Sequence, residues 1–130
     1  GKVAEACLGP AGRFNRFVPQ APTLIVIAQS RGDLKTTVGG LLKRRRYSSY
    51  DIGMAAEHLC LQATEDGLGT CILGWFAEAR IRRLLRIPRR LRIGLIITVG
   101  YPTKARTPGK RRRSIQEITS WNRYGETEAE

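Results

Sequence analysis

The chain has 130 residues, 42% of them hydrophobic, 26% charged, with a net charge of +12. That length makes one domain with room for a packed core, and the hydrophobic share argues against disorder. No apolar run approaches the ~20 residues needed to span a bilayer, and no basic stretch followed by an apolar one marks a secretory leader.

Lys2–Ala6 reads as the end of a helix stopped by Gly9-Pro10. Arg13–Pro22 is loop-like. Thr23–Gln29 (TLIVIAQ) is apolar without alternation, which predicts a strand buried on both faces. Ser30–Asp33 is a turn, and Thr36–Arg46 is ambiguous because Gly39-Gly40 disfavours a regular helix. The clearest helix follows over Ser49–Asp66. Ser49 or Asp51 can cap it, and Ile52, Ala55, Ala56, Leu59, Cys60 and Ala63 recur at helical spacing. Gly67 stands where a left-handed residue ends a helix. This helix is expected to be the most buried one, with Cys60 a buried thiol. His58 falls at the edge of its apolar face with no carboxylate or cysteine partner at useful spacing, so it reads as partly exposed rather than catalytic.

Gly67–Phe76 (GLGTCILGWF) predicts a turn entering a short extended piece. It is no dinucleotide fingerprint, because it follows a helix and its glycines have the wrong spacing. Phe76–Arg86 predicts a second amphipathic helix, with Glu78 at its N-terminal end, Arg80, Arg82, Arg83 and Arg86 on the wet face, and Pro88 ending it. Arg92–Tyr101 (RIGLIITVGY) is the second strong strand. Pro102–Arg113 is a basic loop, Ser114–Trp121 a short helix, and Asn122–Glu130 a polar tail.

Charge and cysteines bound the partners. Thirteen Lys or Arg and no acid lie between Arg80 and Arg113, and Lys43–Arg46 is a second basic run. Such a surplus attracts phosphates, nucleic acid or acidic membranes, although for most of these residues a solvated basic surface suffices. Aromatic residues are only 7% and no nucleic-acid module is recognisable, which argues against a base-stacking platform. The three cysteines are odd in number and lack metal-ligand spacing, so a metal site is not expected and a reducing cytoplasm fits.

An ordered set of motifs resembles the FMN-dependent nitroreductase family. The set is Asp51-Ile52-Gly53-Met54-Ala55-Ala56, Gly67-Leu68-Gly69-Thr70, Gly74, Leu85 with Ile87-Pro88, and Gly100-Tyr101-Pro102. Ala21-Pro22 precedes TLIVIA, and Arg112-Arg113-Ser114-Ile115-Gln116-Glu117-Ile118 resembles the closing segment. The likeness runs from about Pro19 to Asn122. It implies an α+β domain, with a central sheet flanked by helices, in an intertwined homodimer whose interface lies at or near the Ser49–Asp66 helix. It further implies bound FMN, reduced by NADH or NADPH, that passes electrons to a nitroaromatic, quinone or related acceptor in a ping-pong cycle. FMN would carry the redox chemistry, so a catalytic triad is not expected.

By the same resemblance Ile72, Leu73 and Gly74 would lie against the flavin, and Lys110 and Arg112 would hold its phosphate, as their charge and donor geometry suit. Leu73 stands where some members carry an acidic residue. The family's earlier Arg-x-Ser-x-Arg phosphate motif is not found in Gly1–Arg31, so residues 1–130 are expected to form a single partial domain, with 113–130 as a tail. Two alternatives stay open: a homologue that keeps the fold without catalysis, and a basic module that binds nucleic acid or other anions.

Overall fold

A computed structural model describes residues 1–8, 14–30, 47–103, 109 and 111–126. In chain order they form helix α1 (Lys2–Leu8), a 3-10 turn (Val18–Gln20), strand β1 (Thr23–Ser30), helix α2 (Tyr47–Glu65), strand β2 (Gly69–Leu73), helix α3 (Glu78–Leu84), strand β3 (Leu91–Gly100) and helix α4 (Ile115–Ile118). The three strands make one antiparallel sheet in the order β1-β3-β2. The fold is α+β, as expected. The expected turn at Ser30–Asp33 falls largely outside the described residues, as do Thr36–Arg46 and the Lys43–Arg46 run.

The last strand in the sequence is the middle one in space. β3 carries Ile93, Ile96, Ile97 and Thr98 as buried residues, and its β-branched side chains suit a strand with neighbours on both edges. β1 does not meet the expectation of burial on both faces. Among the described residues it pairs only with β3, and its residues are half-buried or exposed. Its apolar run is continuous because both faces are partly covered, not because either is sealed.

The main core lies where α1, the 3-10 turn and α3 meet the sheet. Ala4, Ala6, Cys7, Val18, Leu73, Ile81, Ile93 and Ile96 form it. Asn15 closes this corner: its Nδ2 donates to the carbonyls of Cys7 and Trp75, both at 2.8 Å. These bonds satisfy carbonyls at the end of one helix and before another, which would otherwise cost free energy on burial. α1 is therefore the helix that docks most completely. Cys7 in it is fully buried, and burial raises the pKa of its thiol.

α2 corrects the expectation for the Ser49–Asp66 helix. Among its described side chains only Ala56 and Ala63 are buried, Cys60 is half-buried, and Met54 and Leu61 are each 58% exposed. Ile52 and its small residues set it close to the sheet, while Met54 and Leu61 are left exposed. Gly67 follows with φ +73°, the left-handed position expected past a helix end.

α3 is shorter than the predicted Phe76–Arg86. It ends at Leu84, before Pro88 is reached. Arg86 adopts φ +53°, and the amides of Arg86 and Ile87 turn back to the carbonyls of Arg83 and Arg82. This is the Schellman closure, with arginine where glycine is the unstrained choice. Arg82 also departs from the wet face assigned to it. It is half-buried, paired with Glu78, and donates to the Leu91 carbonyl at 3.1 Å. α4 is short and capped by Ser114, which forms a capping box with Glu117.

Candidate functional site

The pairing of β1 with β3 slips by one residue between Ile27 and Ala28. Ile27 faces Leu95 and Ala28 faces Ile93, so Gly94 has no partner on β1. Such a bulge bends a strand and interrupts its ladder. Gly94 sits under α2, and a Cβ there would collide with Cδ1 of Ile52. The glycine thus lets the first turns of α2 approach the sheet.

Beside this contact lies a cleft of about 360 Å³, whose walls include Gln29, Ile52, Gly74, Glu78, Arg92 and Gly94. The bulge, the end of β2 and the start of α3 all contribute to it. Glu78 fixes one wall. Its Oε1 accepts from Arg82 Nη2 and from the Ile93 amide, the latter at 3.1 Å. α3 is thereby tied to β3 by charge-assisted bonds, from the Ile93 amide to Glu78 and from Arg82 to the Leu91 carbonyl. Gln29 supplies a polar atom of another kind: its Oε1 is buried and finds no hydrogen-bond partner among the described residues.

The residues expected to meet a flavin divide. Gly74 lines the cleft, and a Cβ added to it would meet nothing within 4 Å, so its backbone is open to approach. Ile72, on the same side of β2 as Gly74, is 45% exposed. Leu73 points the other way into the core and is 4% exposed, which corrects any expectation of a side-chain contact to a ring. Alternation along the strand requires this. Lys110 lies outside the described residues. Arg112 is exposed, makes no hydrogen bond or ion pair among the described residues, and is not part of the cleft wall.

Sequence reasoning missed Gln29, Glu78 and Arg92 as cleft residues. Glu78 was legible only as a helix-start acid. The other two depend on strand register, which no local pattern encodes. His58 is exposed, and among the described residues no cluster of three metal-ligating side chains occurs. No helix among the described residues is long and apolar enough to cross a membrane.

Solved structures share this architecture. A nitroreductase family protein from Clostridium novyi NT matches with a TM-score of 0.62 and 24% identity, over 97% of this chain and 65% of that one. An FMN-dependent nitroreductase from Clostridium difficile R20291 matches with a TM-score of 0.68 and 20% identity, over 95% of this chain and 73% of that one. The NADPH:FMN oxidoreductase from Vibrio harveyi, complexed with NAD+, matches with a TM-score of 0.70 and 20% identity, over 98% and 56%. At these identities the likeness is one of fold, and this chain spans less than two thirds of the Clostridium novyi and Vibrio harveyi proteins. The sequence pattern of the nitroreductase family matches residues 7–101, most of the chain and all of its sheet, and the chain belongs to that family.

Proposed function

We propose that the chain is part of an FMN-dependent oxidoreductase that takes electrons from NADH or NADPH and delivers them to a nitroaromatic, quinone or related acceptor. The observation that carries this reading is the family match over residues 7–101, which includes Ile72–Gly74. The local geometry fits a flavin at that segment. Ile72 offers exposed apolar atoms to a flat ring, and Gly74 presents open backbone at a cleft. Leu73 contributes backbone alone. When bound, FMN supplies the redox chemistry.

Lys110 and Arg112 are proposed to meet the phosphate. Alternate residues of an extended segment point the same way, so they would act together while Arg111 and Arg113 face solvent. We further propose that residues 1–130 act as a single domain with a tail from residue 113, that the working protein is a cytoplasmic homodimer, and that the outward side of α2 lies at or near its interface. Met54 and Leu61, exposed on that helix, support the last point.

Purification tests the reading. The protein should show a flavin absorbance spectrum, bleach on addition of NADH or NADPH, and recover its colour with an acceptor. Light scattering should give a dimer. A colourless protein that takes up no added FMN would sink the proposal. If that protein bound DNA with steep salt dependence, its basic surface would be its function. A colourless dimer doing neither would be a non-catalytic homologue.

A further inference from the structure

Between α3 and β3 the chain makes a closed excursion over residues 83–90. Arg82 holds it at two points. Its carbonyl accepts from the Ile87 amide at 2.9 Å, and its Nη2 donates to the Leu91 carbonyl at 3.1 Å. Two turns fill the loop, one closed by the Arg86 amide on the Arg83 carbonyl at 3.3 Å, the other by the Leu91 amide on the Pro88 carbonyl at 3.0 Å. Ile87, between them, is half-buried and packs on the core. Every other residue of the loop is exposed. The backbone is set by these bonds, so a partner would not have to order it.

The exposed side chains include Arg83, Arg86, Arg89 and Arg90, with Leu84 and Leu85 among them. No acid occurs between Glu78 and Glu117, and Glu78 is engaged by Arg82 and the Ile93 amide. None of the four arginines forms an ion pair among the described residues. The negative end of α3 accounts for Arg83, but that effect fades within the last helical turn and does not reach Arg89 or Arg90. Arg86 stands at φ +53°, where glycine is unstrained, so the fold does not ask for its side chain.

Unpaired guanidinium groups select an anion, and the exposed leucines among them select its class. The phosphate backbone of a nucleic acid gives leucine nothing to bury against, and no aromatic residue lies between Ala77 and Gly100 to stack on a base. An anionic bilayer meets both needs: arginine forks match headgroup phosphates, and leucine enters the apolar boundary beneath them. We propose that the 83–90 loop docks the protein reversibly on the surface of an anionic phospholipid bilayer. The docking requires no flavin and does not rest on the redox reading.

The test floats the whole chain with vesicles at low salt. It should bind vesicles of equal parts phosphatidylcholine and phosphatidylserine, ignore phosphatidylcholine alone, and release as salt is raised. An arginine near an anionic surface contributes roughly fivefold in affinity. Arg89→Gln with Arg90→Gln should therefore weaken vesicle binding about thirtyfold. Arg111→Gln with Arg113→Gln removes the same charge from another exposed segment and should change it far less. Leu84→Ser with Leu85→Ser leaves the charge alone and should weaken binding about tenfold. Should that variant lose its fold, the two arginine pairs, all exposed, still decide. No binding to the charged vesicles, equal losses from the two arginine pairs, or full binding by a folded leucine variant would each overturn the proposal. So would tighter binding to a DNA duplex that Arg89→Gln with Arg90→Gln abolishes and the leucine change leaves intact, which would make the loop a nucleic-acid contact.

Discussion

The two sides of the sheet are built to different standards. On one, α1 and α3 bury Cys7, Leu73, Ile81, Ile93 and Ile96 almost completely, and Asn15 holds the corner shut. On the other, α2 rests on the sheet through Ile52, Ala56 and Ala63, and leaves Met54 and Leu61 in solvent. One side is complete within the chain. The other has the composition of an interior and the exposure of a surface, which is how a helix looks when its cover comes from elsewhere. Substitutions on the closed side should therefore cost stability. Those on the open side and in the basic segment should act on local fit or on binding.

The largest effect is expected at Ile81, which is 0% exposed. Ile81→Ala should destabilise the chain by about 2–5 kcal/mol in a denaturant titration, through lost burial and a residual cavity. A loss below about 1 kcal/mol would mean that the closed side is loosely packed and the contrast is false.

Arg112→Ala should leave that denaturation curve unmoved. By the proposed phosphate contact it should weaken FMN binding by about ten- to a hundredfold, and Arg113→Ala by far less. Flavin titration of the two variants checks this. Equal small losses would reduce the segment to a solvated basic run, and a larger loss at Arg113 would shift the register by one residue.

Gly94→Val tests the open side. Its branched side chain would strike Ile52, and overpacking of this kind costs about 1–3 kcal/mol. Ile52→Ala in the same protein should recover part of that loss, a coupling measurable in a double-mutant cycle. Additive losses would show that α2 does not bear on the bulge.

The smallest effect is a gain. Arg86→Gly removes a left-handed arginine at φ +53°. The relief of strain, about 1 kcal/mol, is partly offset by the greater freedom of glycine in the unfolded chain, so a net gain of roughly 0.5 kcal/mol is expected. Thermal melting checks the sign, and a loss would show that the side chain of Arg86 holds a contact worth more than its strain.

Legibility in the sequence follows the same division. Local features could be read: the helix that Gly67 ends, the extended pieces at Gly69–Leu73 and Leu91–Gly100, and the capped turn at Ser114 all announce themselves through neighbouring residues. Features set by distant pairing could not. TLIVIAQ looks equally apolar as a central or an edge strand, and only its pairing shows that it has one neighbour among the described strands. Arg82 looked like one of four wet arginines until Glu78 and the Leu91 carbonyl were found around it. For the candidate site, alternation alone could have turned Leu73 away from Ile72 and Gly74. The juxtaposition of Gln29 with Arg92 required the bulge at Gly94, and one residue of slippage would have given Gln29 a different partner.

The strand order also sets a timetable for synthesis. Among the described residues β1 and β2 do not pair with each other, and both take their ladder hydrogen bonds from β3. β1 is complete at Ser30, whereas β3 ends at Gly100. At about 5–20 residues per second a ribosome needs roughly 4–14 s to cover that interval. During it an apolar strand exists before the described strand that pairs with it, the condition under which chains associate wrongly. Nascent chains arrested before Leu91 should hold Thr23–Ser30 open to protease or chaperone, and chains released beyond Gly100 should close it. The middle strand of the sheet is its last to be made, so the whole sheet forms in one late step.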